Sequence, residues 1–177
     1  MKKIDVFEYT KEILNGMKSG VLLTTKTDEK VNTMAIAWGA LGVEWGKPIF
    51  IAFIRENRFT RKQLDENGMF TVNIPFGEFD AKILGIAGTK SGFATNKIEE
   101  IGLTLVDGEA IDVPAIKELP LTLECKVIYK QLQNKDMVTM ENRNEFHPED
   151  VDGSFYGANK DYHMAYYGEI VNAYILE

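Results

Sequence analysis

The chain is poor in the residues that several chemistries require. It has one cysteine, Cys125, in 177 residues, which excludes an intrachain disulfide and any cysteine-based metal site. Its two histidines, His147 and His163, stand too far apart to make the i, i+4 pair of a helical zinc site. No apolar run approaches the ~20 residues needed to span a bilayer. The opening MKKIDVFEYTKEIL has lysines but no apolar stretch behind them, so it reads as an amphipathic helix and not as a signal peptide. Basic residues are the minority, 20 against 27 acidic, for a net charge of -7. A surface that tracks nucleic-acid phosphates needs the opposite excess. These absences predict a cytoplasmic protein with no membrane and no nucleic acid as partner. A local cationic spot stays compatible with them, because one phosphomonoester needs only a few donors.

Motifs are missing as well. The glycines nowhere form G-x-G-x-x-G, which excludes a Rossmann fingerprint. GTKS at Gly88 to Ser91 misses a P-loop, because Thr89 separates the glycine from Lys90 and the segment follows a helix pattern where a P-loop follows a strand. The acidic run Glu149 to Ser154 has its glycine too early for an EF-hand. There is no G-x-S-x-G elbow.

What is present is a core. The chain is 45% hydrophobic and 11% aromatic, and its length fits one domain over 1–177. Val6, Tyr9, Ile13 and Met17 recur at helical spacing until Gly20. Val21 to Lys26, Val31 to Gly39, Ile49 to Ile54 and Met69 to Ile74 are strand-like, with turns at Asp28-Glu29 and Gly46-Lys47-Pro48. Thr60 and Gln63 have capping-box spacing for a helix that ends near Gly68. Phe79, Ile83, Ile86 and Ala87 predict a helix to Gly88, and Asn96 with Glu99 caps a short one stopped by Gly102. Leu103 to Val106, Leu121 to Lys130 and Tyr162 to Ile175 are later strands. Strict alternation of Leu121, Leu123, Cys125, Val127 and Tyr129 gives one of them a core face, with Cys125 a buried spacer. Gln131 to Lys160 is the least structured stretch, an insertion or a cover. Strands joined by short turns, with helices inserted in two places, predict a mostly β fold: an antiparallel barrel.

Four groups of residues could carry chemistry. Arg55, Asn57, Arg58 and Thr60 bring two guanidiniums and a helix N-terminus together within six residues, a combination that suits a phosphate. They equally fit two surface charges and an ordinary cap, and the two roles are compatible. Thr89, Lys90 and Ser91 between Gly88 and Gly92 offer a cationic, hydroxyl-rich nest or a plain interhelix turn, with Lys97 just beyond. Asn32 to Trp38, NTMAIAW, is a strand with polar tips that ends on an aromatic able to wall a flat ring or to pack in a core. Tyr162, His163, Tyr166 and Tyr167 cluster late in the chain.

Those segments resemble the flavin reductase-like, FMN-binding split-barrel family, in the branch that includes flavoredoxin. The resemblance runs from about Tyr9 to the end and rests on five pieces in family order: NTMAIAWG; KPIFIAFIRENRFT; GTKSG with Lys97 and EEIGLT; PLTLECKVIYKQ; and DYHMAYYGEIVNAYI. It implies a Greek-key split barrel that forms homodimers and binds FMN noncovalently. By resemblance Asn32, Thr33, Met34, Ala35, Ile36, Ala37 and Trp38 lie along the flavin ring. Asn57, Arg58 and Thr60 form the phosphate turn, with Arg55 beside it as a further cofactor-binding residue, and Thr89, Lys90, Ser91 and Lys97 close on it. His163 and Tyr166 approach from the last strand. The family commonly has an acidic residue before the lysine, where this chain has Asn96. The implied activity passes electrons from NAD(P)H, bound transiently, through FMN to a flavin, ferric or protein acceptor. An electron carrier without nicotinamide activity, or a barrel for another ligand such as haem on His147 or His163, are the alternatives.

Overall fold

The protein is described from a computed structural model that covers residues 1–28, 30–152 and 160–177. Glu29 of the expected turn, and 153–159 with the end of the acidic run, lie outside the described residues. In chain order the elements are β1 (Lys2–Lys3), α1 (Thr10–Ser19), β2 (Val21–Lys26), β3 (Val31–Ile36), β4 (Gly39–Glu44), β5 (Lys47–Arg55), α2 (Phe59–Asn67) and β6 (Met69–Ile74). They continue with α3 (Lys82–Thr89), α4 (Lys97–Ile101), β7 (Leu105–Val106), β8 (Ala115–Ile116), β9 (Leu121–Leu132), a 3-10 turn (Lys135–Met137), α5 (Met140–Phe146) and β10 (His163–Ile175). Among the described residues no helix is long and apolar enough to cross a membrane.

The large sheet runs β3-β2-β6-β9-β10-β5-β4, with β1 added to β10, and β7 pairs with β8 apart from it. All its pairings are antiparallel. The two outermost strands, β3 and β4, are consecutive in the chain and joined only by Ala37 and Trp38. The sheet therefore curls until its two edges meet, and stays split between them. This is the expected Greek-key split barrel, mostly β with inserted helices. Its interior is filled by Leu23, Phe50, Ile54, Phe70, Val72, Leu123, Cys125 and Tyr166, all buried. A second cluster (Leu22, Ile83, Ala87, Ile98, Ile116, Leu119) seats α3 and α4 on the outside of β2 and β3. Burial holds the Cys125 thiol well above its ordinary pKa, which leaves it inert.

Several boundaries differ from the sequence expectation for local reasons. The strand read as Val31 to Gly39 is two strands, and β4 was hidden because Gly39-Ala40-Leu41-Gly42 has little alternation. A Cβ on Gly39 would sit 2.9 Å from Ile51 O and 2.7 Å from Met17 Sδ, so glycine lets the chain cross closely there. The following turn is Trp45-Gly46, with φ of 52° and 73°, a two-residue hairpin of the primed type that lets β5 begin at Lys47. α1 starts only at Thr10, yet Val6 and Tyr9 still pack on the core. Likewise α3 starts at Lys82 and excludes Phe79. The capping box at Thr60 does not form. α2 begins at Phe59, and Gln63 instead bonds Thr25 Oγ1 (2.7 Å) and Lys30 O (2.8 Å). The helix does end at Gly68 in a left-handed cap, φ 65°. Asn96 stands at the N-cap of α4 without a side-chain cap bond. The stretch expected to be least structured carries the end of β9, the 3-10 turn and α5.

Gly168 marks a register shift between β9 and β10. A Cβ there would lie 2.5 Å from Phe70 Cζ and 2.9 Å from Cys125 Cβ, deep in the packed interior. Overpacking of this kind costs ~1–3 kcal/mol. Gly168→Ala is therefore expected to lower the unfolding free energy by that amount, seen as a lower denaturant midpoint with an unchanged slope in urea unfolding followed by circular dichroism.

Candidate functional site

The split leaves β3 with a partner on one side only, so half of its backbone N–H and C=O groups face away from β2. A groove follows that free edge. Its wider part, about 330 Å³, is lined by Met34 to Trp38 with Phe53, Arg55, Arg58 and His163. Its narrow continuation, about 50 Å³, is lined by Asn32, Met34, Arg58, Phe59, Thr60, Ser91 and Lys97 among others. Met34, Ala35 and Arg58 belong to both parts, so the groove is continuous from an aromatic end to a cationic one.

The cationic end is built from three separate segments. Thr60 lies in the first turn of α2, whose leading N–H groups have no intrahelical partner, and its Oγ1 accepts from Asn32 Nδ2 at 3.0 Å. That bond ties α2 to β3. Gly92 brings the 90–96 loop against them: a Cβ there would fall 2.4 Å from Asn32 Oδ1 and 2.8 Å from Phe59 Cδ1. Neither Gly88 nor Gly92 has a left-handed φ, so Gly92 serves close approach and not the expected nest. Lys97, at the start of α4, is buried, and its ammonium donates only to Ala87 O, 3.2 Å away. Among the described residues no carboxylate pairs with it. Burial, then the nearby Arg58 and Lys30, lower its pKa to about 8. Lys30 lies 4.5 Å over the Phe59 ring and donates to Gly92 O.

At the aromatic end, Trp38 is half exposed on the two-residue link between the edges. Its ring is 5.3 Å from Phe146, edge-on, and 5.3 Å from His163. His163 pairs with Arg55 across β10 and β5, and Gln133 Oε1 lies 3.3 Å from its Nδ1. A proton on Nδ1 satisfies that oxygen and leaves Nε2 as an acceptor. Burial, with positive charge from Arg55, His147 and Arg58, pushes His163 down to about 3, so the ring is neutral near pH 7. The unfolded chain takes up this proton near pH 6.5 and the folded one does not. Stability therefore declines as pH falls below 6.5, by up to ~1.4 kcal/mol per pH unit from this group. His163→Asn is expected to flatten that part of the profile, measured as urea midpoints between pH 7 and pH 5.

Not every residue expected at the site reaches it. Tyr166 is fully buried inside the barrel and donates to Asp65 Oδ1 at 3.0 Å. It stands three residues from His163 on one strand, and an odd offset places two side chains on opposite faces. Thr33 is buried against Thr24 Oγ1 at 3.1 Å, on the face opposite Asn32 and Met34. Thr89 closes α3 and donates to Gly85 O at 2.9 Å, outside the groove lining. Asn57 is exposed, and its backbone N–H donates to Asp161 Oδ2 at 3.0 Å. Lys90 lines the narrow part but is paired with Glu100. Ser91 lines it too, and its Oγ accepts from Phe93 N at 3.2 Å. Arg55 borders the wider part, while its Nη1 donates to Asp161 O at 2.6 Å and its Nη2 to Phe146 O at 2.9 Å. Sequence reasoning missed Lys30, Phe53 and Phe59. Of these Phe59 had a signal, being adjacent to Arg58 at the helix start.

Comparison with known proteins agrees with this geometry. Residues 14–177 match the family described as "Flavin reductase like domain". An uncharacterized protein of Archaeoglobus fulgidus is 35% identical over 108 residues, 61% of this chain and 59% of that one. The chain thus matches about six-tenths of the length of that curated relative. Among solved structures, flavoredoxin from Methanosarcina acetivorans superposes with a TM-score of 0.66 at 25% identity, over 89% of this chain and 68% of that one. The FMN-binding domain of a flavin reductases-like enzyme from Shewanella baltica gives 0.65 at 18% identity, over 98% and 75%. With that match across nearly its whole length and a split barrel whose groove joins an aromatic end to a cationic one, this chain belongs to the flavin reductase-like family.

Proposed function

We propose that the chain binds FMN noncovalently along the free edge of β3. We read it as an oxidoreductase that takes electrons from NAD(P)H and delivers them to a flavin, ferric or protein acceptor. The observation that supports this most is Lys97: a buried ammonium without a carboxylate, beside Arg58 and Lys30 and open to the groove. Burying an uncompensated cation is costly, and a bound phosphate removes the cost. The residues present fit such a group. Lys97, Arg58, Ser91 and the leading N–H groups of α2 would hold the phosphate. The backbone edge from Met34 to Trp38 would hold a flat polar ring.

When bound, the flavin supplies the redox chemistry, accepting hydride and releasing one or two electrons. The chain's own residues orient and shield. Trp38 and Phe53 wall the ring end. Neutral His163 offers an acceptor nitrogen at pH 7, and hydride transfer to a flavin requires no acid–base residue. Val43 and Trp45 at the tip of the β4–β5 hairpin are 61% and 66% exposed; that apolar patch supports a homodimer as the working form.

The test begins with the visible spectrum of the purified protein and release of the chromophore by heat. A flavin doublet with FMN in the supernatant supports the reading. NAD(P)H oxidation that rises with added FMN, and falls when Arg58 and Thr60 are both replaced by Ala, assigns donor and phosphate site together. A colourless protein that takes up no added FMN overturns it. Tight FMN binding without nicotinamide turnover reassigns the chain as an electron carrier.

A further inference from the structure

Beyond the groove lies a second cavity. It has about 380 Å³ and is lined by Trp38, Phe53, Gln133, Val138, Asn142, Phe146, His147 and His163. Only Trp38, Phe53 and His163 are shared with the wide part of the groove. The rest come from the 131–150 segment, whose α5 is held over the barrel by Arg55 through Phe146 O at 2.9 Å.

The chemistry of the lining is specific. Among the described residues it contains no Asp, Glu, Lys or Arg. The walls are flat: Trp38 and Phe146 meet edge-on at 5.3 Å, and His147 stands edge-on to His163 at 5.5 Å. Such corners accept the edge or face of another ring. Two amides supply the polar contacts. The Gln133 oxygen is used by the N–H and the imidazole of His163, which leaves its NH₂, among the described residues, as the unused half of an amide that lines the cavity. Asn142 is exposed, and among the described residues its side chain makes no hydrogen bond. Small-molecule sites typically have this composition: mostly apolar and aromatic walls, a few placed donors, and ~300–1,000 Å³. A phosphate or carboxylate would find no cation here, whereas a carbonyl oxygen would find amide N–H groups.

We propose that this cavity binds an uncharged planar aromatic carbonyl compound of one or two rings, of the quinone or aryl-ketone class. Its ring packs between Trp38, Phe53 and Phe146, and its oxygen accepts from Asn142 and Gln133. As an electron acceptor, a quinone in this place becomes the hydroquinone. A reduced flavin bound in the groove would supply the hydride and be oxidised by it, and solvent would supply one proton. That use rests on the flavin reading above; the binding itself does not.

The experiment uses 1,4-naphthoquinone as probe and the fluorescence of Trp38 in a Trp45→Phe background, the chain having two tryptophans. Saturable quenching is expected in flavin-free protein. 1-Naphthoate, a charged carboxylate of the same ring size, is expected to bind at least tenfold more weakly, and Asn142→Ala to weaken naphthoquinone five- to tenfold. Asn142→Phe, which adds no second fluorophore, fills the cavity from its exposed rim and is expected to abolish saturation while FMN titrated separately binds as in the parent. Quenching that is non-saturating, indifferent to Asn142→Phe, or equal for naphthoate overturns the proposal. Naphthoquinone binding in a protein that takes up no FMN leaves the cavity assignment standing and removes the flavin reading. FMN binding without naphthoquinone binding does the reverse.

Discussion

Lys97→Met is expected to weaken FMN binding by tenfold to a hundredfold at pH 7 while making the flavin-free protein more stable. A hydrogen bond to a charged group is worth ~1.5–3 kcal/mol, which is one to two decades in affinity. The opposite sign on stability follows from the depressed pKa. The unfolded chain binds this proton near 10.5 and the folded one near about 8. The folded state therefore loses stability as pH falls from 10.5 to about 8, and the loss is constant below that. Methionine has similar length and no charge, so it relieves a cost on the order of a few kcal/mol, less the bond to Ala87 O. A lysine placed only for structure would show a loss of stability and no specific effect on FMN.

The same linkage sets a pH signature. A phosphate beside Lys97 raises its pKa, so FMN binding takes up a proton above about 8. Wild-type affinity is then highest below about pH 8 and falls above it, by at most about tenfold per pH unit for one proton. In Lys97→Met that decline is expected to vanish. Quenching of flavin fluorescence on titration from pH 6.5 to 9.5 checks both statements. A decline that survives the substitution assigns the titrating group elsewhere.

Much of this was legible before any coordinates. The strands of the barrel announce themselves by alternation, as at Leu121 to Tyr129, and α2 and α4 end where Gly68 and Gly102 permit a left-handed residue. Asn32, Trp38, Arg58, Thr60 and Lys97 do line or border the groove. What failed was information that only three dimensions supply. Thr60 and Gln63 have the spacing of a cap, yet each found a better partner on β3 or in the β2–β3 turn. Gln131 to Lys160 looked unstructured because α5 is short and polar, and its place is fixed by distant partners: Trp38 against Phe146, Tyr162 stacked on His147, and the Arg55 guanidinium on Phe146 O. Lys30 joins the cationic end from a turn more than sixty residues before Lys97, and no local pattern links the two. Tyr166 needed no coordinates: strand parity alone separates it from His163.

Arg55 is the residue whose assignment changed most, and it carries the other large expected effect. Its position after a strand and before Arg58 suggested a phosphate ligand, but the guanidinium is committed to the 131–161 segment. It donates to Asp161 O and Phe146 O and lies 3.7 Å from the Asp161 carboxylate. Burial lowers its pKa and the Asp161 charge pulls it back, as in a partly compensated buried pair. Breaking such a pair on one side costs ~3–5 kcal/mol, because the remaining charge and carbonyls stay behind. For a chain of this size that is a fall in melting temperature of about 6–15 °C. Arg55→Met is therefore expected to destabilise the protein and to release α5 first, seen as faster amide exchange in 131–150 than in β9 and β10. Affinity for 1,4-naphthoquinone should fall with it, since Phe146 and Asn142 lose their support. FMN affinity should fall far less than in Lys97→Met. Asp161→Asn, which keeps the backbone acceptor and removes only the charge, should show a smaller version of the same pattern. A variant that keeps its melting temperature within ~2 °C but loses FMN a hundredfold would mean that the guanidinium serves the phosphate directly, with the clamp on α5 incidental.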